Sequence, residues 1–560
     1  MKSTKPQKPL ALLSVTDKSG LADFARGLAE SAGLRIVSTG GTFKTLKQAN
    51  VACWPIEKIT GVKEFLDGRV KTIHPKVAAG ILARLNKQHE RQLRARHIQR
   101  ITLVCVNLYP FAQTVKKPGA TFDEIIEQID IGGILLLRAA AKNHADGVVV
   151  VCDPADYDLV LEAYRADGGP NDEFRLELAQ KAMQLTATYD AIIAEYLARQ
   201  LDIDLTFLAL RGDKVLRKPE NNYQGRSVLC QNILAEPDLL AWSNWTIVAG
   251  NPGHINICGG DSALRVMCRL AEAFRRNFGR VPFIAIACKH GNPCGLGVDW
   301  VEPARAVQRC MTGDKDAVMG AEVMTNFEVD AETSIWIHVV SDDIRDQVGR
   351  PYWGADVVFA PSFTSAGRSL LNTRSPERHL LANPALLDPQ LPSQRYEIRP
   401  VRGGALIQGA ADFIFDSRKV SEWIGGELSG DDLATLLVAW AVAWEGVSNS
   451  VVLAKNLQLI AAGLGQQDRR GATKLALMRA ADAGHDVAGS MFASDGFFPF
   501  AFSATGSALL EATELLCDAG CCGGVVPADG KRWQEVRQFF FAKQMIVAAL
   551  ESQYRGFAKH

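Results

Sequence analysis

Short apolar runs alternate with amphipathic stretches through the first two hundred residues of the chain. The runs Leu10 to Ser14, Leu34 to Ser38, Ile101 to Asn107 and Gly147 to Cys152 predict strands. Strands separated by helical stretches predict a mostly parallel sheet covered by helices. Phe122, Ile125, Ile126 and Ile129 fall at i, i+3, i+4 and i+7, which predicts a helix with one buried face that delivers Asp130 and two glycines to a loop. A long helical run from about Phe174 to Leu201 closes this unit, and the polar, proline-containing segment from Arg211 to Arg226 predicts a boundary. The remainder is again mixed α/β, larger and less regular, with an insertion-like loop from Thr373 to Arg399. No internal repeat or low-complexity tract stands out.

Composition narrows the function classes. With 560 residues and 47% hydrophobic content, there is material for two to four domains with large cores. The 62 basic and 62 acidic residues cancel, so no general attraction to nucleic acid or to an anionic membrane is implied, and the expected partners are small molecules and other protein chains. The polar, lysine-rich Met1 to Pro9 and the short apolar run after it do not read as a signal peptide. No apolar stretch is long enough to span a bilayer. The 12 cysteines include no Cys-x-x-Cys pair and no histidines at zinc spacing, so no metal is expected and a reducing cytoplasm fits.

Candidate chemistry concentrates where strands end and helices begin. The segment Asp67-Gly68-Arg69-Val70-Lys71-Thr72-Ile73-His74-Pro75 gathers cations and a hydroxyl as for an anion. Ser38-Thr39-Gly40-Gly41-Thr42 follows a strand and opens a helix expected near Phe43; glycines admit a phosphate to the backbone, hydroxyls donate to it, and the helix N-terminus adds free N–H groups. Ser14 and Lys18, in Ser14-Val15-Thr16-Asp17-Lys18, fall at the same carboxyl edge, where open α/β sheets bind ligands. Asn107-Leu108-Tyr109-Pro110 and Asp130-Ile131-Gly132-Gly133 complete the set. The Ser38-Thr39-Gly40-Gly41-Thr42 and Ser14-to-Lys18 loops alone read more readily as capped helices, and Lys142 alone reads as a surface lysine.

These motifs, with Arg138 to His144, resemble the IMP cyclohydrolase domain of the AICAR transformylase/IMP cyclohydrolase family. The resemblance implies a methylglyoxal-synthase-like fold over residues 1–204. It implies a ring closure in which the carboxamide nitrogen of formyl-AICAR attacks the formyl carbon and water is lost. Lys71 and Lys142 then stabilise the formyl oxygen, and Tyr109 and Asp130 relay protons. Ser14, Lys18, Ser38, Thr39, Gly40, Gly41, Thr42, Arg69, Thr72, Asn107 and Gly132 hold the nucleotide.

Farther on, Lys289-His290-Gly291-Asn292-Pro293-Cys294-Gly295 follows the apolar run Phe283 to Cys288. A histidine beside a lysine can have its pKa lowered and serve as a base near neutrality, although such a pair is also common at structural strand ends. The stretch resembles the Lys-His-x-Asn-Pro-Cys-Gly motif of the transformylase domain, which implies an α/β region of cytidine-deaminase-like subdomains over residues 205–560. It implies formyl transfer from 10-formyltetrahydrofolate to the 5-amino group of AICAR, with His290 assisting deprotonation, Lys289 stabilising charge and Asn449 beside the reacting groups. Arg217, Gly320, Asp356 and Arg555 fall to the nucleotide. Asp468, Arg469, Phe498 and Phe502 fall to the folate.

Here the chain departs from the family pattern. Arg-Tyr-Gly-x-Asn-Pro-His-Gln reads Arg217-Lys218-Pro219-Glu220-Asn221-Asn222-Tyr223-Gln224, Met319 replaces a phenylalanine, and Asp468 replaces a serine. Ala501-Phe502 stands in place of Arg-Asp, whose aspartate binds the pterin. Losing that charge-assisted bond costs on the order of 1.5–3 kcal/mol. The leading expectation is a cytoplasmic homodimeric enzyme that performs both steps without a metal. The alternatives are a divergent enzyme using an analogous aminocarboxamide nucleotide or another formyl donor, a cyclohydrolase alone, and a non-catalytic sensor of a purine precursor.

Overall fold

The computed structural model describes residues 8–66, 68–338, 346, 354–373, 378–393, 396–504 and 509–556. Asp67, parts of the 373–399 segment and the last four residues therefore lie outside the described residues. The chain divides into two compact units, Met1–Ala209 and Leu210–His560.

In the first unit, five strands form a parallel sheet: β1 Leu10–Ser14, β2 Arg35–Ser38, β3 Cys53–Pro55, β4 Ile101–Val106 and β5 Val149–Val151, in the order β3-β2-β1-β4-β5. Leu10 to Leu13 are all buried, as expected of a central strand with both faces covered. The short β3 escapes a reading by apolar runs because it offers only Cys53, Trp54 and Pro55. The long helix Asp172–Gln200 starts where Asn171 Oδ1 accepts from Phe174 N at 2.8 Å.

The helix before Asp130 is shorter than its periodicity predicts. It spans Phe122–Ile126, opened by a capping box in which Thr121 Oγ1 accepts from Glu124 N at 3.2 Å and Glu124 Oε2 accepts from Thr121 N at 2.9 Å. Beyond it, i→i+3 bonds from Gln128 N to Ile125 O and from Ile129 N to Ile126 O tighten the chain toward Asp130. Ile125 is buried, whereas Phe122 is 50% exposed and stacks on Tyr196 with ring centroids 6.3 Å apart.

The second unit is organised on a twelve-stranded mixed sheet running from Glu422–Ile424 at one edge to Thr246–Ala249 at the other. Two expectations change here. The segment taken as a boundary contains the strand Leu210–Val215, which pairs antiparallel with Val228–Asn232. The segment taken as an insertion contains His379–Ala382, which lies parallel to Val357–Ala360 inside the main sheet. The first strand is itself rich in polar residues and the second is short and flanked by polar and proline residues, so composition masks their pairing.

Candidate functional site

In the first unit the loops that follow β1, β2 and β4 meet at the carboxyl edge of the sheet. Their side chains divide into those that build the loops and those that face outward. Ser38 Oγ donates to Leu13 O at 2.8 Å, and Thr42 Oγ1 donates to Val15 O at 2.9 Å while accepting from Val15 N at 3.0 Å. Asn107 Oδ1 accepts from Thr16 N at 2.6 Å and Asp17 N at 3.0 Å. Lys18 Nζ lies 3.1 Å from Thr16 O, and the Ser14 and Thr39 hydroxyls are 2.8 Å apart. Ser38, Thr42 and Asn107 thus give the loops their shape through bonds within the protein.

The helix after β2 begins at Gly40, three residues earlier than predicted, with Thr39 at its N-cap. A Cβ on Gly41 would meet nothing within 4 Å, and one on Gly40 would lie 3.4 Å from Lys71 Nζ. The Lys71 ammonium therefore overhangs an open backbone turn at a helix N-terminus, a favourable place for an anion. Glu64 Oε2 lies 3.7 Å from Lys71 Nζ, and Arg69 pairs with Glu127. Neither glutamate was singled out from the sequence.

Asp130 caps the helix Ile131–Lys142, its Oδ1 accepting from Gly133 N at 2.6 Å. Burial raises the pKa of its carboxyl, against N–H bonds from Gly133 and Tyr109 and the charge of Lys71. A Cβ on Gly132 would lie 2.8 Å from the buried Thr72 Oγ1, so glycine lets the helix approach the Lys71-Thr72 turn. Tyr189, also missed by sequence reasoning, anchors this corner: its hydroxyl donates to Gln128 O at 2.6 Å and accepts from Asp130 N at 3.0 Å. Lys71, Thr72, Tyr109, Asp130 and Gly132 are thus assembled, with Tyr109 partly exposed. Lys142 is not. It is exposed in the last turn of the helix that Asp130 caps, twelve positions or roughly 18 Å along the axis.

In the second unit Lys289 ends the strand Phe283–Lys289 and pairs with Asn292, the first residue of the next strand. The two-residue turn between them has φ of 51° at His290 and 75° at Gly291, the pattern of a type I′ hairpin. This puts the His290 imidazole on an exposed tip at the mouth of a cavity of about 380 Å³, also lined by Val447, Gly465 and the Asp314–Arg479 ion pair. Lys289 Nζ donates to Met319 O. Asn449 lies beside the Val447 wall, with its Nδ2 donating to Gln466 O at 2.9 Å.

The remaining candidates separate. Gly320 has φ of 74°, and a Cβ there would lie 3.3 Å from Asp356 Oδ2, so the two share one corner next to Met319. Arg217 is exposed, with its N–H donating to Pro252 O at 3.2 Å. Arg555 pairs with Asp529 at 3.0 Å. Asp468 caps the helix Arg469–Asp482, its Oδ1 accepting from Gly471 N at 2.7 Å. Serine and aspartate are about equally good caps, so this substitution preserves the helix start.

Two of the folate candidates turn inward. The Arg469 guanidinium is buried, paired with Asp495 and donating to Ser450 O at 3.0 Å, so it braces the Asn449 loop. Phe498 is 1% exposed, packed against Phe492 and Phe540 with centroids 5.9 and 6.2 Å away. Phe502 does face outward, 56% exposed and edge-on to Phe539.

Glu322 is a buried carboxylate with no place in the sequence reading. It lies opposite Cys288 in the sheet, and Asn256 Nδ2 donates to its Oε1 at 3.3 Å. Its pKa is raised to about 7, chiefly by burial and further by Asp356, against the Asn256 bond and the charge of Lys289. A glutamate within the apolar run Ala321 to Met324 was the available signal. Among the described residues, no cluster of three or more His, Cys, Asp or Glu forms a metal site, and no helix is long and apolar enough to cross a membrane.

The fold defines a class, a two-unit α/β protein with a methylglyoxal-synthase-like first unit. The MGS-like domain model matches residues 20–135, and the AICARFT/IMPCHase bienzyme model matches residues 140–479. The bifunctional purine biosynthesis protein PurH of Anoxybacillus flavithermus is 35% identical over 520 residues, covering 92% of this chain and 94% of its own length. That of Oceanobacillus iheyensis is 34% identical over 562 residues, covering 98% and 99%. The crystal structure of ForH is 38% identical, covers 34% of this chain and 97% of its own, and superposes with a TM-score of 0.31. The chain belongs to the AICARFT/IMPCHase bienzyme family, the enzymes that join AICAR formyl transfer to IMP ring closure in purine biosynthesis.

Proposed function

We propose that the unit beginning at Leu210 transfers a formyl group from 10-formyltetrahydrofolate to the 5-amino group of AICAR, and that the unit ending at Ala209 closes the ring of formyl-AICAR. The observation that carries the first half is the Lys289-His290 hairpin tip at the mouth of a cavity, with Asn449 beside its wall. The amino nitrogen attacks the formyl carbon and gives its proton to the His290 imidazole. Lys289 stabilises the developing oxyanion. The C–N bond to the folate then breaks, and N10 of tetrahydrofolate leaves with a proton.

In the second half the carboxamide nitrogen attacks the formyl carbon of the bound nucleotide. Lys71 stabilises the oxyanion, Asp130 and Tyr109 move protons, and water is expelled. The raised pKa of the Asp130 carboxyl favours this exchange by bringing its two protonation states closer in energy near neutrality. Arg69, Thr72, Gly40 and Gly41 are assigned to the nucleotide phosphate, and no step is assigned to Lys142 in this pocket. The enzyme works as a cytoplasmic homodimer in this reading, on small-molecule substrates alone.

The outward-facing Phe502 favours one specific second reading, a donor other than 10-formyltetrahydrofolate, because an apolar ring offers a pterin edge no acceptor. A donor comparison separates the two. With AICAR as acceptor, 10-formyltetrahydrofolate is expected to be consumed at a rate at least tenfold above that of formate with ATP. The reverse order would transfer the assignment to the other donor.

A further inference from the structure

Two charged residues that line the cavity beside His290 have no part in the reaction as described so far. They are Asp314 and Arg479, with Oδ2 and Nη1 2.8 Å apart. Asp314 builds a turn. Its N–H donates to Cys294 O at 3.1 Å, on the strand that begins at Asn292; its carbonyl accepts from Val318 N at 3.0 Å and its Oδ1 from Ala317 N at 3.1 Å. The turn leads directly into Met319, whose carbonyl accepts from Lys289 Nζ. The Lys289 ammonium therefore rests on the turn that Asp314 shapes, with two further N–H donors left for a substrate oxygen.

Arg479 comes from the helix Arg469–Asp482. Just before that helix, Gln466 O accepts from Asn449 N at 3.0 Å and from Asn449 Nδ2 at 2.9 Å. Within its first turn, Arg469 holds Ser450 O. Ten residues farther, about 15 Å along the axis, Arg479 grips the turn that supports Lys289. His485, three residues beyond the helix, adds a second tie, its Nε2 2.7 Å from Gly313 O. One helix thus connects the loop of Asn449 to the seat of Lys289. The Asp314 side chain is 13% exposed and that of Arg479 44%, and an ion pair so open to solvent adds little to folding stability.

We propose that Arg479 is a positioning residue of the formyl-transfer site: by holding the Asp314 carboxylate, it fixes the turn that carries the Lys289 ammonium relative to the helix that sets Asn449. This rests on the assignment of formyl transfer to the second unit, with Lys289 stabilising the oxyanion. A donor speeds the reaction when it is already aimed at the place where charge develops. Without the ion pair the turn from Asp314 to Met319 loses its hold on the helix, and Lys289 is aimed less well. The cost falls on the transition state and spares ground-state binding, so it appears in kcat and leaves KM in place.

Steady-state kinetics of the full chain with AICAR and 10-formyltetrahydrofolate test this. Arg479→Met removes the charge and keeps a long side chain, and Asp314→Asn keeps an oxygen acceptor for Ala317 N. Each is expected to lower kcat for formyl transfer about five- to tenfold, with KM for AICAR within about twofold of wild type and ring closure of added formyl-AICAR unchanged. Arg479→Lys, which keeps the charge, restores most of the lost kcat. The double variant is no slower than the slower single one, because both changes break the same contact. Losses that multiply in the double variant place Arg479 on the substrate itself and overturn the proposal. So does an unchanged kcat in either single variant, or a raised KM with kcat intact. If Arg479→Met does not fold, Asp314→Asn and Arg479→Lys decide by the same split of kcat and KM. A wild type that closes the ring of formyl-AICAR but transfers no formyl group overturns the assignment to the second unit, and the proposal with it.

Discussion

Replacing His290 by asparagine lowers formyl transfer to AICAR by about 10² to 10⁴-fold and leaves ring closure of added formyl-AICAR at the wild-type rate. The expected size is that of a lost general base, and the choice of asparagine follows from the backbone. His290 sits at φ of 51° in a two-residue turn, a left-handed conformation that asparagine tolerates far better than alanine does. The imidazole is on an exposed tip, so the substitution leaves no cavity and no unpaired buried group. Parallel assays with AICAR plus donor and with preformed formyl-AICAR check it. An equal loss of both activities removes His290 from the role of base in one step.

Lys71→Ala gives the converse pattern. Ring closure falls by about 10² to 10³-fold, the usual loss for one group stabilising an oxyanion, while formyl transfer is retained. Lys71 is the ammonium over the Gly40 turn, and it also lowers the pKa of the Asp130 carboxyl, which burial raises. Its removal therefore pushes that pKa still higher. Asp130 stays protonated to higher pH, and the residual ring closure of the variant needs a more alkaline medium than that of the wild type. A pH series on added formyl-AICAR reads both effects. Unchanged ring closure takes Lys71 out of the catalytic set.

The legible parts of this molecule were those whose local chemistry and tertiary role coincide. Leu10 to Ser14 reads as a buried strand because its apolar run is a central strand, and the Gly40-Gly41 turn reads as open because nothing packs on it. His379–Ala382 was illegible for the opposite reason: four residues in a proline-flanked stretch enter the main sheet by pairing with Val357–Ala360 on one side and with Thr246–Ala249, distant in sequence, on the other. The same holds for side chains. A motif shows that Ser38, Thr42, Arg469 and Phe498 belong near a site, but not which way they turn, and the first three hold backbone carbonyls while Phe498 packs in the core. Asp130 and Lys142 stand twelve positions apart on one helix, and only the helix reveals that they occupy opposite ends. Glu322 was overlooked because its partners, Asn256, Lys289 and Asp356, come from three other elements.

The central claim is that one chain performs both steps despite the altered loop at Ala501-Phe502. The most direct measurement is a spectroscopic assay of the purified protein with AICAR and 10-formyltetrahydrofolate, run beside one with preformed formyl-AICAR. The account predicts turnover in both, with IMP as the common product. Turnover with formyl-AICAR alone would contradict it and leave the protein a cyclohydrolase whose second unit has lost or exchanged its reaction.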